Sequence, residues 1–220
     1  MSTESPKRAI FEQFALVARS LAHPRRLELL EQLAQGERHV EVLAGRTGMS
    51  IANASQHLQQ MRRAGLLSAR RDGKFVTYSL ADDAVLDALA ALRRLTDRNL
   101  AEVDCLLRSY FNNRDSLQPI SRDQLLALSR ARAVTVVDVR PPDEFALGHL
   151  PMAINIPLRE LESRLSELNS SHEIVAYCRG PYCVLSYEAV ATLRQHGFTV
   201  RRLVDGFPEW RAAGLPIEIG

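Results

Sequence analysis

The sequence predicts a chain of two parts, a mostly helical first half and an α/β second half built on a parallel sheet. In the first half, apolar residues recur at helical spacing and are interrupted by one hairpin signal, Asp72-Gly73. In the second half, short apolar runs alternate with helical stretches, which is typical of parallel sheets. A cluster of Asn, Asp, Ser and Pro separates the halves. We therefore predict domains over 1–110 and 121–220 and a linker over 111–120.

Proline, glycine and helix-capping residues mark where the elements of the first half begin and end. Pro24 suits the first turn of a helix, and Ser50 is a natural N-cap. Gly36 and Gly65 mark helix ends, and after Gly65 the period changes from helical to alternating. The predicted elements are helices over Ala9–Leu21, Arg25–Leu33, Val40–Arg46, Ser50–Arg63 and Asp82–Leu107, and strands over Leu66–Arg70 and Phe75–Leu80.

The elements of the second half alternate between helix and strand. Ser121 is an N-cap for the helix that opens this half. The valine-rich run after it is typical of a strand buried on both faces. The predicted elements are helices over Ser121–Arg130, Leu158–Leu168 and Val184–Gln195, and strands over Val134–Val139, Glu173–Tyr177 and Thr199–Leu203.

Composition and charge narrow the class of protein. Three cysteines are a low, odd count that argues against a secreted disulfide scaffold. The start does not have the pattern of a signal peptide, and no stretch approaches the roughly 18 apolar residues of a membrane span. We therefore expect a cytoplasmic protein without a membrane partner. Residues 36–80 hold seven basic and three acidic residues, a net charge of +4, so a polyanion should bind there.

The order helix-helix-turn-helix-hairpin is that of a winged helix-turn-helix, a DNA-binding fold. Its fourth helix is the candidate recognition helix, because small and amide side chains can read base edges in a major groove. The basic hairpin is placed to meet phosphates. A solvated polar helix beside an ordinary hairpin is the alternative. The candidate DNA-binding residues are Ser50, Asn53, Ser55, Gln56, His57, Gln59, Gln60, Arg62 and Arg63 on the helix and Arg70, Arg71 and Lys74 on the hairpin.

The first half resembles the ArsR (SmtB/ArsR) family of bacterial repressors over about residues 8–108. The resemblance is carried by Leu21 to Leu30, Leu43-Ala44, Ser50 to Leu58, Ala64 to Leu67 and Gly73 to Tyr78. It implies a homodimer joined through the first and fifth helices and bound to an inverted-repeat DNA operator. In such a dimer the two recognition helices enter major grooves about one turn apart.

The sequence departs from the metal-sensing members of that family. These often carry a cysteine pair on the helix before the recognition helix, where this chain has His39 to Leu43 without a cysteine. Others place Asp and His ligands on the fifth helix, which here has no histidine. His39 and His57 lack partners at ligand spacing, so we expect them to be exposed or to contact a DNA groove rather than to bind a metal. We expect no cofactor. Cys105 is expected to be a buried thiol of the dimer interface rather than a sensor.

The stretch from Tyr177 to Val184 combines a strand end, a tight loop with two cysteines and a helix start. A strand-loop-helix turn directs backbone N–H groups into the loop, and the helix N-terminus adds partial positive charge. Both effects favour the thiolate of Cys178, which is the reactive form. The residues of this cysteine loop are Cys178, Arg179, Gly180, Pro181, Tyr182, Cys183 and Val184.

The second half resembles a single-domain rhodanese, a type of sulfurtransferase, over residues 121–220. The resemblance is carried by Val137 to Arg140, Glu144-Phe145, Gly148 to Pro151, Ala153 to Pro157, the cysteine loop and Val204 to Trp210. It implies that Cys178 accepts sulfane sulfur from a donor as a persulfide and passes it to a thiol acceptor. The six residues from Cys178 to Cys183 give the loop the length that this family uses for sulfur. The resemblance also implies that Asp138, Arg140 and Glu144 are supporting residues, with Arg140 and Glu144 as a buried structural pair.

Two residues depart from the rhodanese pattern. Cys183 stands where many members have a basic residue or threonine that helps to bind thiosulfate, which argues against efficient thiosulfate turnover. Cys183 could instead resolve a persulfide or sulfenate on Cys178, giving a disulfide or a bridging polysulfide. The alternative is a small buried residue at the helix start. Asp205 replaces a glycine of the family pattern and is expected to reshape the loop beside the active site.

Together these features predict a transcriptional repressor whose second domain captures sulfane sulfur on Cys178 and so modulates operator binding. One alternative is a sulfurtransferase with a DNA-binding accessory domain. Another is a repressor in which a catalytically inactive rhodanese domain serves as an interaction module.

Overall fold

The computed structural model describes residues 5–107, 109, 119–130 and 134–220. Its contacts divide the chain into two units, Met1–Leu86 and Asp87–Gly220. The predicted linker over 111–120 falls mostly on residues 111–118, which lie outside the described residues. The predicted domain boundary therefore stays a prediction.

Helices and a small antiparallel sheet make up the described part of the first unit. Its helices are α1 (Pro6–Leu21), α2 (Pro24–Ala34), α3 (Val40–Arg46) and α4 (Ile51–Arg63), and its strands are β1 (Arg38–His39), β2 (Leu67–Asp72) and β3 (Phe75–Leu80). The strand order is β1-β3-β2, with antiparallel pairing throughout. The fully buried core side chains include Leu29, Leu30, Leu33, Leu43, Ala54, Leu58 and Met61.

Local signals place α4 and the hairpin as predicted. The hydroxyl of Ser50 accepts a hydrogen bond from the Asn53 backbone N–H at 3.3 Å, which caps α4. Asp72 pairs with Phe75 across the hairpin, and Gly73 takes a φ of 59°, which glycine adopts at little cost. The winged helix-turn-helix order is confirmed. The sequence does not predict β1, because two residues are too few to show alternation.

The predicted helix over Asp82–Leu107 is wrong in one respect, because the chain divides it into α5 (Ala84–Asn99) and α6 (Ala101–Leu107). At the break, the side-chain amide of Asn99 donates a hydrogen bond to the Leu95 carbonyl at 2.8 Å. Asparagine side chains that bond to nearby backbone compete with the hydrogen bonds that continue a helix. The helix α5 itself crosses the boundary between the two units.

The described part of the second unit is a parallel sheet with helices. Its strands are β4 (Val134–Asp138), β5 (Ile154–Asn155), β6 (Glu173–Tyr177) and β7 (Val200–Arg202), and its further helices are α7 (Arg122–Arg130), α8 (Pro142–Ala146), α9 (Val184–Gln195) and α10 (Phe207–Ala212). The strand order is β5-β4-β6-β7, and every neighbouring pair is parallel. The predicted α/β domain is confirmed. Ser121 and Gln124 form the capping box of α7, with reciprocal bonds of 3.3 and 2.8 Å.

The segment from Leu158 to Leu168 is not the predicted α-helix. It forms two 3-10 segments, Leu158–Glu160 and Glu162–Glu167, the second of which is kinked at Arg164. The Ser163 hydroxyl donates to the Glu160 carbonyl at 2.8 Å, a local bond that competes with α-helical pairing. The short elements β5, α8 and α10 are also absent from the sequence prediction, because two to six residues show no period.

The central strands are buried on both faces, which explains why they are apolar without alternation. Val137, Ile174 and Ala176 belong to one core cluster, whereas Val136 and Val175 belong to another. In a parallel sheet, the carboxyl ends of the strands meet at one edge, where ligand sites form. β4 ends at Asp138 and β6 at Tyr177, so the cysteine loop begins at this edge.

Candidate functional site

The cysteine loop runs from the end of β6 to the start of α9. Cys178 follows the last strand residue, and Cys183 is the N-cap residue of α9. The Cys183 N–H donates to the Gly180 carbonyl at 3.1 Å, and the Phe207 N–H donates to the Cys178 carbonyl at 3.1 Å. Both cysteines are buried, with 2% and 7% of their surface exposed. The loop is thus closed on itself and anchored to α10.

The two cysteines of the loop lie within reach of each other. The structure joins Cys178 and Cys183 in a disulfide, with their Cα atoms 6.2 Å apart. This separation lies inside the range of roughly 4.4–6.8 Å that native disulfides span. Cys183 therefore has the position that a resolving thiol for Cys178 requires.

Arg179, the cation of the cysteine loop, is held by Glu144 of α8. Its Nε and Nη2 atoms donate to the carboxylate at 2.8–3.2 Å, and Glu144 is fully buried. A bidentate guanidinium–carboxylate pair of this kind is strong and directional. The pair fixes the direction of the Arg179 side chain beside Cys178.

A second buried ion pair lies under the same edge of the sheet. Arg140 Nη2 is 2.6 Å from Asp138 Oδ2 and also donates to the Gly148 carbonyl at 2.8 Å. The guanidinium lies 4.5 Å from the centre of the Phe207 ring. Burial alone would lower the pKa of Arg140, but the hydrogen bonds and charge of Asp138, together with the charges of Tyr177 and Glu144, raise that pKa overall. Arg140 is therefore a permanent buried cation.

The supporting residues Asp138, Arg140 and Glu144 all lie buried near the cysteine loop. Arg140 is paired with Asp138, and Glu144 is paired with Arg179, so each has a charged partner in addition to the one expected from the sequence. The charge of Glu144 still acts on Arg140 by raising its pKa, although less than Asp138 does. Their roles in the chemistry stay a prediction.

Gly206 makes a close approach to the cysteine loop that the sequence does not reveal. A Cβ atom at this position would lie 2.3 Å from the carbonyl carbon of Arg179 and from the nitrogen of Gly180. The Gly206 N–H donates to the Glu209 carboxylate at 3.0 Å. Gly206 therefore holds the start of α10 directly against the backbone of the loop.

Replacing Gly206 with alanine is expected to displace the cysteine loop, because rigid backbone atoms block the new methyl group. We expect a loss of roughly 1–3 kcal/mol in the stability of the second unit. We also expect Cys178 to react more slowly with a sulfane-sulfur donor. Denaturant unfolding followed by Trp210 fluorescence measures the first effect, since Trp210 is the sole tryptophan in the chain. Intact mass spectrometry with time measures the second.

The matched control for Gly206→Ala is Gly180→Ala in the loop itself. A Cβ there would lie 3.6 Å from the Glu209 carboxylate, which is ordinary van der Waals contact. The stability of Gly180→Ala should stay close to that of the wild type. Equal stability losses in the two variants would contradict the close approach at Gly206.

Asp205, the residue in place of the family glycine, has a charged partner. Its Oδ2 atom lies 2.8 Å from Nε of Arg122 on α7. Burial raises the pKa of Asp205, whereas the charge of Arg122 acts in the opposite direction. The aspartate therefore joins α7 to the segment before α10.

The predicted DNA-binding residues lie on α4 and the β2–β3 hairpin of the first unit. Ser55 and His57 are half-buried, whereas the other ten are exposed: Ser50, Asn53, Gln56, Gln59, Gln60, Arg62, Arg63, Arg70, Arg71 and Lys74. The buried face of α4 consists of Ala54, Leu58 and Met61. A polar, basic face on this helix is thus available to a ligand.

Some residues of this face already have protein partners. Gln60 accepts a hydrogen bond from Arg26 at 3.2 Å, and Arg70 is paired with Glu37. The His57 ring lies 4.7 Å from the His23 ring. Burial, followed by the charges of His23 and Arg26, lowers the pKa of His57. His57 is therefore less readily protonated than an exposed histidine.

Other sequence predictions concern metals, membranes and Cys105. Among the described residues, no group of three or more His, Cys, Asp or Glu side chains is arranged to hold a metal ion. None of the described helices combines the length and the apolar character needed to cross a membrane. Cys105 is an exposed thiol in the single chain.

Comparisons with known proteins match both halves. The model of the bacterial regulatory protein arsR family matches residues 23–69, and the model of the rhodanese-like domain matches residues 121–213. The chain is 44% identical to the HTH-type transcriptional regulator Rv0324 of Mycobacterium tuberculosis, over 97% of this chain and 94% of that protein. It is 37% identical to a sulfurtransferase of Allochromatium vinosum, over 41% of this chain and 83% of that protein.

A similar solved structure is the homodimeric winged helix-turn-helix DNA-binding domain of Mb0332 from Mycobacterium bovis, a possible ArsR-family transcriptional regulator. It is 40% identical with a TM-score of 0.42, and the match covers 46% of this chain and 94% of that chain. The relationship that spans almost the whole length is thus to a transcriptional regulator, and the two family models match its two halves. The chain belongs to the ArsR family of HTH-type transcriptional regulators and carries a C-terminal rhodanese-like domain.

Proposed function

We propose that this regulator is a homodimeric repressor whose affinity for its operator changes when Cys178 captures sulfane sulfur. The observation that carries the proposal is the pair of buried cysteines in a rhodanese loop, joined to an ArsR-type DNA-binding unit in one chain. Because Cys178 and Cys183 lie at bonding distance, the pair can exist either as two thiols or as a disulfide. A change between them can bias DNA binding by a coupling free energy of about 1–3 kcal/mol.

The DNA-binding part of the proposal is supported by α4 and the hairpin. Exposed amides on α4 have the chemistry to read adenine, and exposed cations on the hairpin suit phosphates. A homodimer would present two such helices to the halves of an inverted repeat. Exposed apolar side chains on α1 suit a dimer interface: Ile10, Phe11 and Phe14 are each more than half exposed.

The proposed sulfur chemistry has two steps. In the first, the Cys178 thiolate attacks the outer sulfur of a donor persulfide, RS–SH. The S–S bond of the donor breaks, RS⁻ leaves and Cys178–S–SH forms. In the second, the Cys183 thiolate attacks the inner sulfur, HS⁻ leaves and the Cys178–Cys183 disulfide forms. The two cysteines are oxidised, and the sulfane sulfur is reduced to sulfide. Two molecules of a thiol acceptor then reduce the bridge to two thiols by successive exchange and leave as their own disulfide.

The donor should be a persulfide or polysulfide rather than thiosulfate. Thiosulfate carries a sulfonate-like group that needs a cation, yet Arg179 is engaged by Glu144 and the sixth loop position is Cys183. A persulfide presents a sulfur atom without that additional charge. This donor class fits a loop whose cation is already paired.

The test of the proposal measures the sulfur state and DNA affinity on the same protein. Intact mass follows reduced full-length protein during exposure to a persulfide donor, and fluorescence anisotropy gives Kd for an operator selected from random DNA. We expect a gain of one sulfur followed by the loss of two protons, with about a 10-fold change in Kd. Sulfur capture without any change in Kd would contradict the regulatory proposal.

A sulfurtransferase activity is the second candidate function. The similarity to the sulfurtransferase of Allochromatium vinosum favours it, since the match covers 83% of that protein. In this case, persulfide on Cys178 would be passed to an external acceptor faster than Cys183 resolves it. Steady turnover from thiosulfate to cyanide, with Kd for DNA unchanged, would favour the enzyme over the sulfur-responsive repressor.

Variants of the DNA-binding surface should separate base reading from phosphate contact. Gln56→Ala on α4 should weaken operator binding by roughly 5- to 150-fold, which corresponds to about 1–3 kcal/mol. Lys74→Gln on the hairpin should weaken binding to all sequences and reduce the slope of log K against log salt by about one. Anisotropy titrations with operator and random DNA at several salt concentrations measure both effects.

The matched control is Gln195→Ala, an exposed helical glutamine in the second unit. It should bind the operator as the wild type does. If Gln56→Ala and Lys74→Gln also bind like the wild type, then α4 and the hairpin are not the DNA-binding surface.

A further inference from the structure

The cysteine loop is hydrogen-bonded to α5 through Tyr182. This tyrosine lies between the two cysteines in sequence, and its hydroxyl donates to Oδ1 of Asp97. Burial, together with the hydrogen bond and charge of Asp97, raises the pKa of Tyr182, so the hydroxyl keeps its proton and stays a donor. One side chain therefore ties the loop to the second half of α5.

A second link joins the loop to α5 through α10. Arg93 Nη1 is 2.8 Å from Oε1 of Glu209, with both side chains about four-fifths buried. The same carboxylate accepts the N–H of Gly206, whose backbone lies against the Arg179–Gly180 peptide. A shift of this peptide therefore acts on Gly206 first and on the ion pair with Arg93 next.

Both links end on one face of α5, because Arg93 and Asp97 are four residues apart. The helix is continuous from Ala84 to Asn99, while the boundary of the first unit falls after Leu86. Val85 and Leu86, at its start, are buried. A change in the position or order of the second half of α5 is therefore covalently continuous with the DNA-binding unit.

We propose that Tyr182 and Glu209 are positioning residues that communicate the sulfur state of the Cys178–Cys183 pair to Arg93 and Asp97 of α5. The inference rests on the proposed function and specifies the contacts through which the sulfur state acts on α5. Opening or closing the bridge changes the separation of Cys178 and Cys183, and Tyr182 is the residue directly before Cys183. Because hydrogen bonds weaken steeply with angle and distance, a displacement of about 1 Å is enough to break one.

The test compares hydrogen exchange of α5 in two sulfur states of the full-length protein. The disulfide state is prepared with a thiol oxidant, and the dithiol state with a phosphine reductant. We expect amides of 90–99 to exchange several-fold faster in one state than in the other. In the double variant Arg93→Ala/Asp97→Ala this difference should disappear, while intact mass shows the bridge still forming.

The control is Arg94→Ala/Arg98→Ala, which also adds two alanines to α5 but at the neighbouring exposed positions, away from the two contacts with Glu209 and Tyr182. It should keep the difference between the two sulfur states. The inference is overturned if wild-type α5 exchanges equally in both states, or if the Arg93→Ala/Asp97→Ala protein keeps the difference.

The DNA measurement separates the failure of this inference from the failure of the proposed function. If α5 responds but Kd for the operator stays constant, the route exists and the regulatory proposal is wrong. If Kd responds in the wild type and equally in Arg93→Ala/Asp97→Ala, the protein is sulfur-responsive by another route.

Discussion

Replacing Cys178 with serine is expected to abolish both the capture of sulfur and the change in operator affinity. The hydroxyl of serine cannot accept a sulfane sulfur as a thiolate does. The disulfide to Cys183 also cannot form, because one of its two sulfur atoms is missing. The substitution lies in the second unit, so basal DNA binding by α4 should be retained. Intact mass and anisotropy before and after persulfide treatment measure the two losses on the same sample.

Cys183→Ser separates the two chemical steps. This variant should still gain one sulfur on Cys178, but it should not lose two protons, because the resolving thiol is missing. If Kd changes in this variant, the persulfide itself is the signal; if not, the disulfide is. A full change in Kd in the Cys178→Ser protein would exclude Cys178 as the sensing residue.

Replacing Arg140 with methionine should cost the second unit about 3–5 kcal/mol, the usual cost of breaking a buried ion pair. The substitution leaves the Asp138 carboxylate buried without its guanidinium partner and leaves the Gly148 carbonyl without its donor. Methionine fills part of the volume, so the main loss is electrostatic. Urea unfolding followed by Trp210 fluorescence reports on this unit and should show a strongly lowered midpoint.

Arg159→Met is the matched control for Arg140→Met. The Arg159 side chain is 78% exposed and lies 3.4 Å from Glu160, so its loss should change stability by less than about 1 kcal/mol. If Arg140→Met is as stable as Arg159→Met, the buried pair contributes no more than a surface contact does.

The sequence is most informative where local chemistry decides the structure. The caps at Ser50 and Ser121 are side-chain bonds to backbone groups three residues away, so they are visible in the sequence. The valine-rich strand β4 needs no alternation because both of its faces are buried. The fold class and most element bounds therefore follow from the sequence.

The partners within the candidate site could not be predicted in the same way. Glu144 and Arg179 are 35 positions apart, and many carboxylates could have paired with that arginine. The link from Arg93 to Glu209 spans 116 positions and depends on where α5 and α10 pack. Tertiary packing decides which charged residues become partners, and neither the periodicity of a sequence nor its helix caps reveals that packing.

The close approach of Gly206 to the cysteine loop has a consequence for sequence variation. A side chain at this position cannot coexist with the present path of the Arg179–Gly180 peptide. Homologous proteins that carry another residue here should therefore also differ in the length or composition of the cysteine loop. A substitution of Gly206 should therefore occur together with a change near Gly180, about 26 positions earlier in the chain.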